Sequence, residues 1–393
     1  MATDFPASIT VAELEADPYP IYARLRATDP VAYVPAVNCW LVTRAADVEV
    51  VTSRTDLFTA EAPDSPVDLS FGSPTLMTMD GDGHLELRRT IDAKFRPRVV
   101  STYIDPLVRP IAQTALDRVL AHPSRTAELI ADYFEPISVL SLGSVLGLPD
   151  LSEQTLMEWF HGLAMGATNF ERDPEKQALS DAAAAAIDRE LRPRMERMRK
   201  QPDDSAIASM LTHGCPVGAA RTIEQVMPSL KVIILGGMQE PGHGAGSCLA
   251  GLLTHPDQLA WLRENPDRWD DAVHEALRWM APIGSMQATA LVDVELGGAV
   301  IPRGEFVSAL VSSACHDESL FEEPERFDIR RPRRANAAFG YGPHFCAGHQ
   351  FSRDLERIAL SMLVEAMPDL RLTAPVEFRG WEFRAPTALH VAW

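Results

Sequence analysis

Cysteine is scarce in this chain of 393 residues, and the five present (Cys39, Cys215, Cys248, Cys315, Cys346) are scattered, with no C-x-x-C among them. That excludes a disulfide framework or a zinc ribbon and fits a reducing, cytoplasmic setting. Positive charge is also in deficit: 36 basic residues face 55 acidic ones, a formal net charge of −19. Nucleic acid and anionic membrane surfaces are therefore poor partners. No run approaches eighteen apolar residues, so no membrane span is expected. Met1 to Thr10 has neither a basic n-region nor an apolar core, so no signal peptide is expected. Gly/Ser tracts, long charge runs and internal repeats are missing too. Length alone suggests about two to three domains, but without a linker the expectation is one domain over residues 1–393.

What is present concentrates in Phe339-Gly340-Tyr341-Gly342-Pro343-His344-Phe345-Cys346-Ala347-Gly348. One cysteine sits in a glycine-rich loop, and an apolar, helix-like segment from Phe351 to Met367 follows. Loop N–H groups can point at the sulfur, and the positive end of the helix favours its anion. Glycines let the backbone turn sharply and approach a flat cofactor. A lone cysteine in a turn is ordinarily a small buried side chain. The spacing Phe-x-x-Gly-x-x-x-Cys-x-Gly is more specific, and it resembles the haem-binding loop of the cytochrome P-450 family. The resemblance runs from Asp17-Pro18-Tyr19 to the last residues. It implies haem b (iron protoporphyrin IX) with Cys346 as axial ligand to the iron, and Phe339 and Gly340 against the cofactor. Such ligation favours O–O cleavage.

Periodicity predicts a mainly α protein with small β-sheets. Val31 to Val42 reads as strand, turn, strand, Ala45 to Val51 as a short helix, and Phe58 to Thr78 as a long loop. Helices are predicted over Gly83–Phe95, Val108–Leu120, Ile130–Leu146, Leu151–Met165, Lys176–Lys200 and Asp267–Met280. Thr222 to Leu253 reads as one long apolar helix interrupted at Gly236-Gly237 and Pro241. Thr289–Val300 and Glu305–Val311 read as strands, and Leu370–Trp393 as short strands and turns. The resemblance implies a single-domain cytochrome P-450 fold, with haem between the long central helix and the cysteine-loop helix.

Glu275 and Arg278 lie three apart on one helical face, a spacing that usually means a surface ion pair. Roughly seventy residues before the cysteine, they match the family's buried Glu-x-x-Arg, and Pro324-Glu325-Arg326-Phe327 resembles the segment whose Arg completes that structural network. His84, Arg88 and His344 match positions that reach the haem propionates, which need cationic or donor partners. The family often has a further Arg after the Glu-x-x-Arg helix; Thr289 fills that slot here.

In Gly236-Gly237-Met238-Gln239-Glu240-Pro241-Gly242-His243, two glycines and a proline weaken helical hydrogen bonding and open a groove. The family usually has an acid followed by Thr at this point, for proton delivery. Gln239 and Glu240 stand there instead, so Glu240 is expected to feed protons through ordered water while Gln239 orients the chain. His243 is expected to be structural. The alternative for Glu240 is a helix-capping role.

Basic residues cluster at Arg330, Arg331, Arg333 and Arg334, and at Arg88, Arg89, Lys94, Arg96 and Arg98. In the family both segments lie on the face nearest the cysteine. An acidic electron donor is expected to dock there, either a ferredoxin or an NAD(P)H-dependent flavin/iron–sulfur reductase. Met238 to Gly244 and Gly380 to Val391 resemble bacterial aromatic O-demethylases that act on guaiacol-type, lignin-derived methoxyarenes. That resemblance implies a small aromatic substrate, with O2 as co-substrate, clamped by Phe71 and Phe383. A third clamp position falls on Ala167, for which Phe170 could substitute. Met77, Val232, Leu235, Gly236 and Met286 would line the remainder. Other readings are hydroxylation of a terpene or macrolide, a peroxide-driven enzyme, and a haem-binding sensor without turnover.

Overall fold

The computed structural model describes residues 5–393; Met1 to Asp4, part of the N-terminal stretch read above, lie outside them. The chain is mainly helical with small sheets, as the periodicity predicts. The strand–turn–strand read at the start is present as β1 (Val31–Val34) and β2 (Cys39–Val42), antiparallel from Val31↔Val42 to Val34↔Cys39. Asn38 closes the turn at φ 49°, a conformation its short polar side chain tolerates. With β3 (Phe58–Thr59), β4 (Met286–Ala290) and β5 (Phe306–Ala309) they form a five-stranded sheet in the order β1-β2-β5-β4-β3. β2 and β5 run parallel, and the other pairings are antiparallel.

Two segments differ from the sequence expectation. The loop read over 58–78 contains β3 and a short helix, α1 (Pro66–Phe71). Ser65 caps that helix by accepting from the Asp68 N–H, and Pro66 sits where a missing N–H costs nothing. The single strand read over 289–300 is the end of β4 followed by a separate hairpin, Val294–Leu296 against Ala299–Ile301. Its turn is Gly297-Gly298, at φ +56° and +87°.

Helices α2 (Gly81–Phe95) and α3 (Pro97–Leu120) are followed by α4 (Glu135–Leu146), α5 (Glu153–Ala167) and α6 (Pro174–Lys200), and the last three pack on the central α7 (Ile223–Thr254). α3 starts at Pro97, eleven residues before the predicted Val108, and runs through Pro106 and Pro110. A π-helical turn, Ile130–Phe134, leads into α4. Thr222 starts α7 with a capping box to Gln225.

The expected interruption of α7 is corrected. It is one continuous helix of 32 residues through Gly236-Gly237 and Pro241. Helical stability in proteins comes mostly from packing, and α7 is enclosed by α4, α5, α8 (Trp269–Trp279) and α9 (His349–Ala366). Its glycines serve close approach instead: a Cβ at Gly237 would lie 2.7 Å from Leu142 Cδ2. α9 packs on α3 and α7, which brings the loop before it under the middle of the long helix.

Candidate active site

The loop before α9 is built around its sulfur. Gly340 and Gly342 have φ of +71° and +66°, and a Cβ at Gly342 would come within 2.3 Å of the Thr52 carbonyl oxygen. The Cys346 N–H donates to the Phe339 carbonyl at 2.9 Å, closing the loop. The sulfur faces the N–H groups of Gly348 and His349 at the start of α9. Burial pushes the thiol up; those N–H groups and Arg88 pull it down. A bound cation removes the proton outright, so the donor set suits a metal thiolate.

The rings of His84 and His344 lie against each other, tilted by 37°, with centroids 4.2 Å apart. His344 Nε2 lies 2.9 Å from Asp80 Oδ1, whereas the buried Nε2 of His84 has no partner. Burial, then His344 and Arg88, hold the His84 imidazole down to about 4. Arg88 donates to the Phe345 carbonyl at 2.6 Å and to Asp92 Oδ1 at 2.9 Å. An orphaned imidazole nitrogen beside a guanidinium suits an incoming carboxylate such as a haem propionate. The Thr289 hydroxyl donates to the Glu61 carbonyl at 2.7 Å. On the same strand Met286 covers the cysteine loop, since a Cβ at Gly340 would sit 2.4 Å from its sulfur.

Behind the loop, Arg278 grips both oxygens of Glu275 at 2.9 and 2.7 Å, and both side chains are buried. The guanidinium also donates to the carbonyls of Cys315, Pro324 and Arg326. The expectation that the Arg326 side chain completes this network is corrected. It is 53% exposed and pairs with Glu323 and Asp328, lending the network only its carbonyl. Arg331 takes the place, with Nε 3.3 Å from Glu275 Oε1 and donors on the carbonyls of Glu322, Glu323 and Arg326. The sequence hid this because Arg331 stands in a run of arginines that reads as surface charge.

On α7, a Cβ at Gly236 would meet nothing within 4 Å, so the helix presents open space there. Pro241 has no N–H for the carbonyl one turn earlier. Gln239 is buried, its Nε2 3.5 Å from His243 Nδ1 and its Oε1 without a partner. Both carboxyl oxygens of Glu240 are covered and unpartnered. Burial, then Glu356, raise this carboxyl to about 8. Glu356, on α9, was not singled out from the sequence. It is fully buried, accepts from the Ser352 hydroxyl at 2.7 Å, and is itself raised by burial to about 8. A Cβ at Gly244 would approach its carboxyl carbon to 2.9 Å. The Ser352/Glu356 spacing on an apolar helix was the available signal.

The two carboxyls give the fold a pH dependence. Above their ordinary value of 4.5 the unfolded chain has released protons that the folded chain keeps up to about 8. The folded state binds more protons in that window, so stability falls as pH rises through it. Melting temperature measured across this range should decline, and Glu356→Gln should flatten the decline.

Phe71, Ala167 and Leu235 belong to the large helical core, and Val232 and Phe383 pack against it. Phe71 and Ala167 lie on helices in mutual contact, α1 and α5. Phe170, expected to stand in for the missing clamp aromatic, packs its ring on Trp381 at 5.2 Å, against the separate N-terminal cluster. Met77 is 47% exposed and stands outside the core cluster. Of the expected basic face, Arg330 and Arg333 pair with Asp257 and Asp271, Arg334 donates to the Leu320 carbonyl, and Lys94 pairs with Asp204. Arg89, Arg96 and Arg98 are exposed, and Arg88 of the same segment donates to the carbonyl of the 37% exposed Phe345.

Comparison with known proteins bears on the same residues. The family model described as cytochrome P-450 matches residues 269–366, which include α8, the cysteine loop and α9. The nocardicin C N-oxygenase of Nocardia uniformis subsp. tsuyamanensis is 30% identical, over 96% of this chain and 96% of that protein. This chain belongs to the cytochrome P-450 family. The vitamin D(3) 25-hydroxylase of Pseudonocardia autotrophica is also 30% identical, over 92% of this P-450 and 89% of its own length. Among solved structures, P-450 BioI, crystallised with an acyl carrier protein bearing hexadec-9Z-enoic acid, superimposes with a TM-score of 0.88 at 26% identity, covering 98% of this chain and all of that one. The chain is therefore a P-450 monooxygenase whose cofactor is haem b and which uses O2 and electrons from a redox partner. Cys346, His84, Arg88 and His344 are the residues that fit that cofactor. No helix among the described residues is long and apolar enough to cross a membrane. The particular closeness to guaiacol O-demethylases is not what these relatives show.

Proposed function

We propose that this P-450 removes the methyl group from a small aryl methyl ether. The reading is supported by Phe71 and Phe383, two aromatic side chains of the same apolar core as Leu235 and Val232, and by the open space that α7 presents at Gly236. Flat apolar rings pack well between such side chains. In this reading an alkyl or second methoxy substituent lies against the small Ala167. Haem iron supplies the oxygen activation that the reaction needs. Overall, O2, two electrons and two protons are consumed; one oxygen enters the methyl group, the other leaves as water, and the hemiacetal collapses to a phenol and formaldehyde. Spectral titration with guaiacol, alkylguaiacols, syringol and anisole tests the reading, with formaldehyde measured alongside product. Binding without formaldehyde would reject it.

The second reading is hydroxylation of a bulky apolar substrate, favoured by the similarity to the vitamin D(3) 25-hydroxylase. A secosteroid in the same titration separates the two. In either case electrons are expected to enter over Arg89, Arg96 and Arg98, so the reduction rate should fall as ionic strength rises.

Glu240 is the proton donor in this reading, with Gln239 orienting it. Its carboxyl is protonated below about 8, a value matched to donation near neutral pH. Glu240→Gln should lower product per NAD(P)H by about tenfold, less than the ~100-fold low end of general acid catalysis because water partly substitutes, and should raise peroxide release. In the parent protein the same ratio should drop as pH rises through about 8. Unchanged coupling in the variant would reject the assignment.

A further inference from the structure

His243, taken from the sequence as structural, touches more than Gln239. Its Nε2 lies 3.5 Å from Oε1 of Glu135, a residue the sequence reading passed over. The same oxygen lies 3.3 Å from Nε2 of His161. Glu135 is 5% exposed, whereas the His161 side chain is 55% exposed. A file of four polar side chains therefore crosses the protein wall: His161 on α5 at the surface, Glu135 at the start of α4, then His243 and Gln239 on α7.

The backbone is arranged to permit it. A Cβ at Gly242 would stand 3.4 Å from the Phe134 carbonyl and the Glu135 N–H, so α7 approaches the start of α4 closely at that residue. The π-helical turn Ile130–Phe134 ends at Glu135 and sets its direction. Such turns are frequent at functional sites. Burying a carboxylate is costly unless its partners are good. Here two imidazoles hold Glu135 down at about 2 despite its burial, so it rests as an anion that stabilises a positive charge on either ring and takes up a proton only in passing.

We propose that His161, Glu135 and His243 form a proton path from solvent to Glu240. The inference rests on the reading of Glu240 as proton donor. A proton arriving on His161 passes by way of Glu135 Oε1 to His243 Nε2. His243 then gives up the proton on its Nδ1 to ordered water leading to Glu240, so one proton enters the ring, one leaves, and the ring is neutral again in its other tautomer. Gln239 matches both ring tautomers. Its NH2 donates to a bare Nδ1, and after an amide flip its Oε1 accepts from a protonated one. Beyond it, Gln239 Oε1 and both carboxyl oxygens of Glu240 are buried without a partner, and ordered water, which both donates and accepts, is the usual partner at such sites. His243 and Glu135 are thus positioning and relay residues; neither is expected to touch substrate.

The test is proton exchange at Glu240 in the resting, haem-loaded protein. After transfer into deuterated buffer, the infrared carbonyl stretch of the protonated Glu240 shifts as its proton is replaced; Glu240→Gln identifies the band. His243→Phe and Glu135→Gln should slow that shift by at least tenfold. His243→Gln, which keeps a polar side chain but cannot change tautomer, should slow it equally. His161→Gln lies on the surface, where folding is not at stake, and should slow it by at least threefold. Haem absorbance and melting temperature establish that each variant is folded. Exchange within twofold of the parent in both His243→Gln and His161→Gln overturns the path. Slowed exchange combined with unchanged coupling in Glu240→Gln instead overturns Glu240 as donor, and with it the catalytic use of the path.

Discussion

Arg278→Ala should yield little or no stable haem-loaded protein. The substitution leaves the Glu275 carboxylate buried without its bidentate partner and strips donors from the carbonyls of Cys315, Pro324 and Arg326. Breaking one side of a buried pair costs about 3–5 kcal/mol, against a total stability of about 5–15 kcal/mol for a typical domain. The remaining Arg331 contact, at 3.3 Å, is too long and too one-sided to compensate. Haem-to-protein ratio and melting temperature are the measurements. Arg326→Ala is the control that separates this network from the one the sequence suggested. Because that side chain is exposed, its loss should change stability by no more than about 0.5 kcal/mol. A folded, haem-replete Arg278→Ala protein would show that the pair does not hold the wall behind the cysteine loop.

The reduced, carbon monoxide-treated protein should show a strongly red-shifted Soret peak, Cys346→Ser should abolish it, and product formation should fall by more than ~1000-fold, equivalent to ~4 kcal/mol of barrier. The loop is preorganised for sulfur. Its N–H groups at Gly348 and His349 and the start of α9 all face that one atom. A serine oxygen is harder to ionise and shorter in reach, so these donors would not convert it into an equivalent ligand. The fold itself should survive, since the Cys346 N–H bond to the Phe339 carbonyl is a main-chain contact. Retention of the red-shifted peak in this variant would refute Cys346 as the axial ligand.

Local patterns announced themselves in the amino-acid order. The cysteine loop needs particular residues at fixed spacing within ten positions, so it is legible without a fold. The helices with strong apolar periodicity were equally plain, as was the β1–β2 hairpin around Pro35 to Asn38. What misled was local chemistry overruled by packing. Gly236-Gly237 and Pro241 look like a break, yet α7 continues because neighbouring helices pack along it; Gly237 lets α4 approach, while Gly236 faces open space. Arg326 matched a motif, yet the tertiary fold turned it outward and drew Arg331 in. Phe170 was near Ala167 in sequence but went to Trp381.

By itself the sequence determined the family-type thiolate loop, the mainly helical class and the identity of the unusual pair Gln239-Glu240. Only the tertiary structure decided which groups share a buried space with them. Glu356 comes from a helix more than a hundred residues away from Glu240, and Glu135 and His161 come from two others. Contacts of that kind depend on how helices cross, and no periodicity along a single segment encodes the crossing. The physical consequence is large because burial, which only the packed fold supplies, moves the carboxyls at 240 and 356 to about 8 and lets two imidazoles hold Glu135 as an anion.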